Sequence, residues 1–130
     1  MRIDRIDHIA VNCIDIKKSL EFYEGILGLK LLEKVNCGDF DIHYLQLPEG
    51  ARLELFDYRG KNRKTEYLES DSGLRHLAFQ VQDVAAHEKQ LRNCGVEITL
   101  PTCDLPDLRA CVLLFLDPNG VTIEFCEILE

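Results

Sequence analysis

The chain has 130 residues, 46% of them hydrophobic and 29% charged, enough to bury one core and too few for two independent domains. Its formal charge of -8 argues against a phosphate-binding surface, because nucleic-acid affinity rests on clustered Lys and Arg, so nucleic acid is not an expected partner. The longest apolar run, Ala110 to Leu116, falls far short of the ~20 residues that a membrane span needs, so no membrane association is expected.

The opening stretch, MRIDRIDHIAVNCIDIKK, breaks every apolar run with a charge and has neither the apolar region of a signal peptide nor the composition of a targeting presequence. A cytoplasmic protein is expected. Six cysteines (Cys13, Cys37, Cys94, Cys103, Cys111 and Cys126) are scattered through the chain without a C-x-x-C pair. They are expected to be reduced and mostly buried, with Cys111 and Cys126 acting as small apolar residues.

In chain order, Asp7 to Ile16 alternates as a half-buried strand does, and Asp15 is suited to cap a helix. That helix is predicted to run to about Leu27 with Ile16, Leu20 and Tyr23 on one face, ending at Gly28 in a left-handed conformation. Extended segments follow at Lys30 to Val35, Asp39 to Leu47 and Arg52 to Tyr58. The turn Leu47-Pro48-Glu49-Gly50 joins the last two, with Pro to preset φ and Gly to accept a positive one. Arg59 to Gly73 is polar and reads as a linker or lid. Its basic cluster RGKNRK is expected to be a solvated loop, with contact to an anionic substrate as the sharper reading.

Arg75 to Val84 then reads as a second strand, Asp83 as a second cap and Gly95 as a second helix end. Extended segments recur at Glu97 to Leu100, Ala110 to Leu116 and Val121 to Ile128, and Asp117-Pro118-Asn119-Gly120 is a second tight turn. The order β-α-β-β-β thus occurs twice. Module one spans about 1–58, the linker 59–73 and module two about 74–130, an α+β chain.

The two modules also match residue by residue, which fixes the architecture more firmly than any single element. At an offset of 68, DHIAVNCIDI falls on RHLAFQVQDV, pairing His8 with His76, Ala10 with Ala78 and Asp15 with Asp83. At an offset of 70, LPEGARLELF falls on DPNGVTIEFC, pairing Pro48, Gly50 and Glu54 with Pro118, Gly120 and Glu124. Each half begins on a His and ends on a Glu. If the modules pack about a pseudo-twofold axis, equivalent side chains fall in equivalent places, and two imidazoles with two carboxylates can converge.

Such a set is a metal site. Mixed nitrogen and oxygen donors suit zinc, nickel, cobalt, manganese or iron(II), and four protein ligands leave two octahedral positions for substrate oxygens. The expected ligands of one divalent ion are therefore His8, Glu54, His76 and Glu124. A lone strand His or edge Glu is usually structural. The recurrence of the same pair among apolar neighbours in both halves outweighs that here. His43 has no counterpart, and His87 lies among Glu88, Lys89 and Gln90, expected in solvent; neither is assigned to the metal.

In DHIAV with its following Ser19-Leu20-Glu21-Phe22-Tyr23 and Leu27-Gly28-Leu29, in RLELF, in GLRHLAFQVQDV and in DPNGVTIEF, the chain resembles the vicinal oxygen chelate superfamily. That group includes glyoxalase I, bleomycin and fosfomycin resistance proteins, methylmalonyl-CoA epimerase and extradiol dioxygenases. The resemblance covers nearly the whole chain. It implies an open, cup-shaped barrel built from paired modules, usually in a homodimer, with the metal in the cup on the four residues named above.

Within the group, Glu54 discriminates, because the dioxygenases and fosfomycin enzymes typically lack a carboxylate there. A four-ligand site is similar to that of glyoxalase I or the epimerase. The implied function is a metal-dependent lyase or isomerase of the lactoylglutathione lyase type, acting on a small molecule such as a thiol hemithioacetal. A carboxylate would move a proton through an enediolate, with Glu124 as ligand and shuttle and Glu54 able to share that role. The alternative is a resistance-type protein that holds an aromatic or drug-like ligand; epimerase-like and dioxygenase-like enzymes rank lower. Arg5, Arg52 and Arg75 could meet a substrate carboxylate but read first as surface charges.

Overall fold

A computed structural model of the protein describes residues 1–66 and 68–130; residue 67, in the expected linker, lies outside the described residues. The chain forms two compact units, Met1–Lys64 and Thr65–Glu130, each carrying one four-stranded mixed sheet with few helices, an α+β arrangement.

In the first unit, β1 (His8–Cys13) leads to α1 (Ile16–Leu20), then to β2 (Leu31–Asn36), β3 (Asp41–Gln46) and β4 (Arg52–Asp57). The sheet order is β1-β4-β3-β2, with β1 parallel to β4 and the remaining pairs antiparallel. Asp15 caps α1 as expected, its carboxylate accepting from the Lys17 and Lys18 N–H groups at 3.1 and 3.3 Å. The helix departs from expectation after Leu20, where Glu21–Ile26 winds as a π-helix. The inward face is consequently Ser19, Phe22 and Tyr23 rather than Ile16, Leu20 and Tyr23. The wider turn sets two adjacent aromatic rings edge to face, 4.9 Å apart, toward the sheet.

Side chains alternate across a strand, so Leu53 and Leu55 enter the core with Leu45 while Arg52, Glu54 and Phe56 take the other face of β4. The turn before β4 has Gly50 at φ +88°, as a tight Pro-Gly turn requires. The basic loop is exposed, as expected, though Arg59 at its start is also tied back to the fold. Its guanidinium donates to Asp41 Oδ1 at 2.9 Å and to the Gly38 carbonyl at 2.6 Å, and it holds the buried Asp41 carboxyl below the usual carboxylate range. Asn62 also donates to the Cys13 carbonyl at 3.2 Å, tying the start of the linker to the end of β1.

The second unit repeats the plan: β5 (Leu77–Gln80), α2 (Val84–Asn93), β6 (Ile98–Leu105), β7 (Ala110–Leu116) and β8 (Thr122–Ile128), in the order β5-β8-β7-β6. Two carboxylates satisfy the start of α2: Asp83 accepts from the Ala86 N–H and Glu127 from the Val84 N–H. Strand β6 runs five residues beyond the expected Leu100, with a register irregularity between Leu100 and Cys103. Pro101 sits there, on an edge strand, where a residue without an N–H is tolerated. Phe115, Ile123, Leu113 and Val84 form the core, with Phe115 edge-on to Phe125 at 4.9 Å.

Two further expectations are corrected, one in this unit and one across both. His87 is half-buried, not in solvent, its ring edge-on to Phe125 at 5.2 Å, because the helix turns that face onto the sheet. Among the cysteines, all six are free thiols, yet only Cys13 and Cys111 are buried while Cys37 and Cys94 are exposed. Burial pushes the Cys111 thiol up to about 11, helped by its hydrogen bond with Asp104.

Glu88 ties α2 to β6. Its carboxylate accepts from the Thr102 N–H at 2.6 Å and from Arg92 at 2.8 Å, which lowers its pKa from the usual 4.5 to about 2. Glu88→Ala is expected to cost about 1.5–3 kcal/mol, the range for charge-assisted hydrogen bonds. A depressed carboxyl stabilises the fold above its unfolded pKa. The gap between wild type and variant should therefore be constant above pH 4.5 and shrink as pH falls toward 2, as urea melts across that range would show.

Candidate metal centre

The parallel strand pairs carry the same register in both units, and this register builds the sites. In the first unit Ala10 lies opposite Glu54, and in the second Ala78 lies opposite Glu124. The His two residues before each Ala therefore becomes the diagonal neighbour of the Glu on the same face. The two sequence offsets, 68 and 70, differ without disturbing this pairing, because the extra residues fall between the paired strands.

The structure accordingly brings His8 to Glu54 and His76 to Glu124. His8 Nδ1 is 3.4 Å from Glu54 Oε2, and His76 Nε2 is 2.8 Å from Glu124 Oε2. Glu54 is buried at 7% exposure, between Leu53 and Leu55, whereas Glu124 is half-buried. Each unit thus brings one imidazole and one carboxylate together. Among the described residues, no group of three or more His, Cys, Asp or Glu is placed to hold a metal ion, and what is observed is one His–Glu pair in each unit, called here a half-site.

The half-sites differ in their surroundings. His8 Nδ1 also lies 2.7 Å from Asp7 Oδ2, and this hydrogen bond, followed by the Glu54 charge, raises the His8 pKa above the usual value. His76 Nδ1 is buried and has no hydrogen-bond partner among the described residues. His43, set aside for lack of symmetry, is half-buried on β3 and lies near Lys34, Asp41 and Asp57; burial lowers its pKa, with Lys34 adding to the effect.

The face that bears Glu54 also holds features that patterning did not single out. Arg52 lies with its guanidinium 4.3 Å above the Tyr44 ring and donates to Glu33 at 3.1 Å, so its surface charge is engaged. Phe56, two residues beyond Glu54, has Phe40 at 5.2 Å and Tyr58 at 6.4 Å, and the three rings are inclined by no more than 34° to one another. The available signal was phase: Phe56 alternates in step with Glu54. At the offset of 70 the second unit has Cys126 in that place. Arg75 donates to Glu69, within its own loop.

The chain belongs to the Glyoxalase/Bleomycin resistance protein/Dioxygenase superfamily, whose family model matches residues 5–125. Among its relatives is the uncharacterized protein YwkD of Bacillus subtilis, 30% identical, the match covering 98% of this chain and 99% of that one. A probable lactoylglutathione lyase of Synechocystis is 26% identical, with 92% of each chain covered. In three dimensions the chain is similar to the glyoxalase family protein from Enterococcus faecalis, with a TM-score of 0.83, 26% identity and coverage of 98% and 100%.

Proposed function

We propose that the two half-sites share one divalent metal, held by His8, Glu54, His76 and Glu124, and that the protein is a glyoxalase I-like lyase or isomerase. The observation that carries this reading is the repeated His-Glu pair, set at the same register in both units. Its donor set fits: two imidazole nitrogens and two carboxylates suit zinc, nickel, cobalt, manganese or iron(II). A cation held there would supply positive charge that favours ionisation of a substrate C–H. Glu124, the more exposed carboxylate, takes the proton from one carbon of a hemithioacetal and returns it to the neighbouring carbon. We also propose a homodimer in the cytoplasm, where the six free thiols stay reduced.

The test is formation of the thioester from methylglyoxal and glutathione by metal-free protein, before and after adding nickel or zinc. Metal-dependent turnover is expected; its absence with every metal of the set would remove this reading.

One observation favours a second reading, a binding protein for a planar ligand: the group of Phe40, Phe56 and Tyr58 rings, of which Phe56 lies two residues beyond Glu54 on β4. Tight, metal-independent binding of an aromatic ligand, lost in Phe56→Ala, would decide for it.

A further inference from the structure

We infer that Asp7 is a positioning residue that fixes the His8 imidazole as its Nδ1–H tautomer and leaves the Nε2 lone pair for the metal, a role with no counterpart in the second half-site. The inference rests on the metal reading above but on different observations.

The contact between Asp7 Oδ2 and His8 Nδ1, at 2.7 Å, is the shortest polar contact of the first half-site. An ionised carboxylate can only accept, so the shared proton sits on Nδ1. A neutral imidazole has a single N–H, and placing it on Nδ1 makes Nε2 the free donor atom. A carboxylate behind a metal-bound His both orients the ring and raises its basicity. Asp7 precedes β1 and its side chain is 76% exposed, so no core packing accounts for its placement against His8.

The second half-site lacks this device. At the offset of 68 the position of Asp7 is taken by Arg75, whose guanidinium turns to Glu69. His76 instead points Nε2 at Glu124 and keeps Nδ1 buried without a partner among the described residues. His8 is therefore held at Nδ1 by a carboxylate outside the four proposed ligands, whereas the carboxylate beside His76, Glu124, is itself one of those four.

The tests are Asp7→Ala and Asp7→Asn, with Asp4→Asn as a control that removes a nearby exposed charge paired, among the described residues, with Arg2. Nitrogen-15 NMR of the metal-free protein at pH 8 should show His8 as the Nδ1–H tautomer in wild type and Asp4→Asn, and mainly as Nε2–H in Asp7→Ala. Zinc affinity, measured by competition with a chromophoric chelator, should fall about 10- to 100-fold in Asp7→Ala, less in Asp7→Asn, and stay within twofold in Asp4→Asn. An unchanged tautomer in Asp7→Ala, or an equal loss of affinity in Asp4→Asn, would overturn the inference. Wild-type protein that takes up no zinc would defeat the metal reading alone, because the tautomer measurement needs no metal and still decides whether Asp7 holds the ring.

Discussion

Glu124→Gln is expected to lower hemithioacetal turnover by about 10²–10⁴-fold, the usual contribution of a positioned general base, while metal remains bound. The amide keeps an oxygen that can face a cation but cannot carry the proton. Glu54→Gln should behave differently. Glu54 is buried at 7% exposure between two fully buried leucines, so it has less access to substrate and, in the proposed site, would serve to hold the cation. Its variant is expected to lose metal first and activity as a consequence. Metal content by elemental analysis, set beside turnover at saturating metal, separates the two. If excess metal restored Glu124→Gln and not Glu54→Gln, the roles would be reversed.

The largest stability effect is expected at Phe115. Its side chain is fully buried, edge-on to Phe125, at the centre of the second sheet's inner face. Phe115→Ala removes a ring from a packed core and leaves a cavity, at a cost of about 3–5 kcal/mol. That is a large share of the roughly 5–15 kcal/mol by which folded domains are stable. Urea unfolding should show the loss as a lower midpoint at nearly unchanged slope. A loss below about 1 kcal/mol would mean that the sheet and helix can close over the gap.

Much of this was legible in the sequence because duplication turns weak local signals into paired ones. DHIAV and RHLAF could each have been any strand; together with RLELF and TIEFC they predict equivalent places, and the strands pair Ala10 with Glu54 and Ala78 with Glu124. The caps Asp15 and Asp83 and the positive-φ glycines Gly28, Gly50, Gly95 and Gly120 were readable because each does a job few residues can do.

What escaped had no such local rule. The π-helical turn at Glu21–Ile26 depends on how Phe22 and Tyr23 pack, which periodicity does not encode. His87 looked solvated among charged neighbours, yet helix geometry puts it four residues before the buried Leu91, on the inward face. Arg59 looked like one charge in a basic loop, and only the fold brings Asp41 within 2.9 Å of it. The asymmetry of the half-sites was hidden by the symmetry that revealed them. The matching of His8 with His76 hides Asp7 and Arg75, neighbours of the two His residues at which the copies differ in charge.

The most direct test of a shared metal is its stoichiometry. Metal-free protein titrated with zinc is expected to take up one tight equivalent per chain, and His8→Ala and His76→Ala, one in each half, should each abolish it. Two independent equivalents per chain, each removed by only one of the substitutions, would show that the halves act separately and would contradict the account.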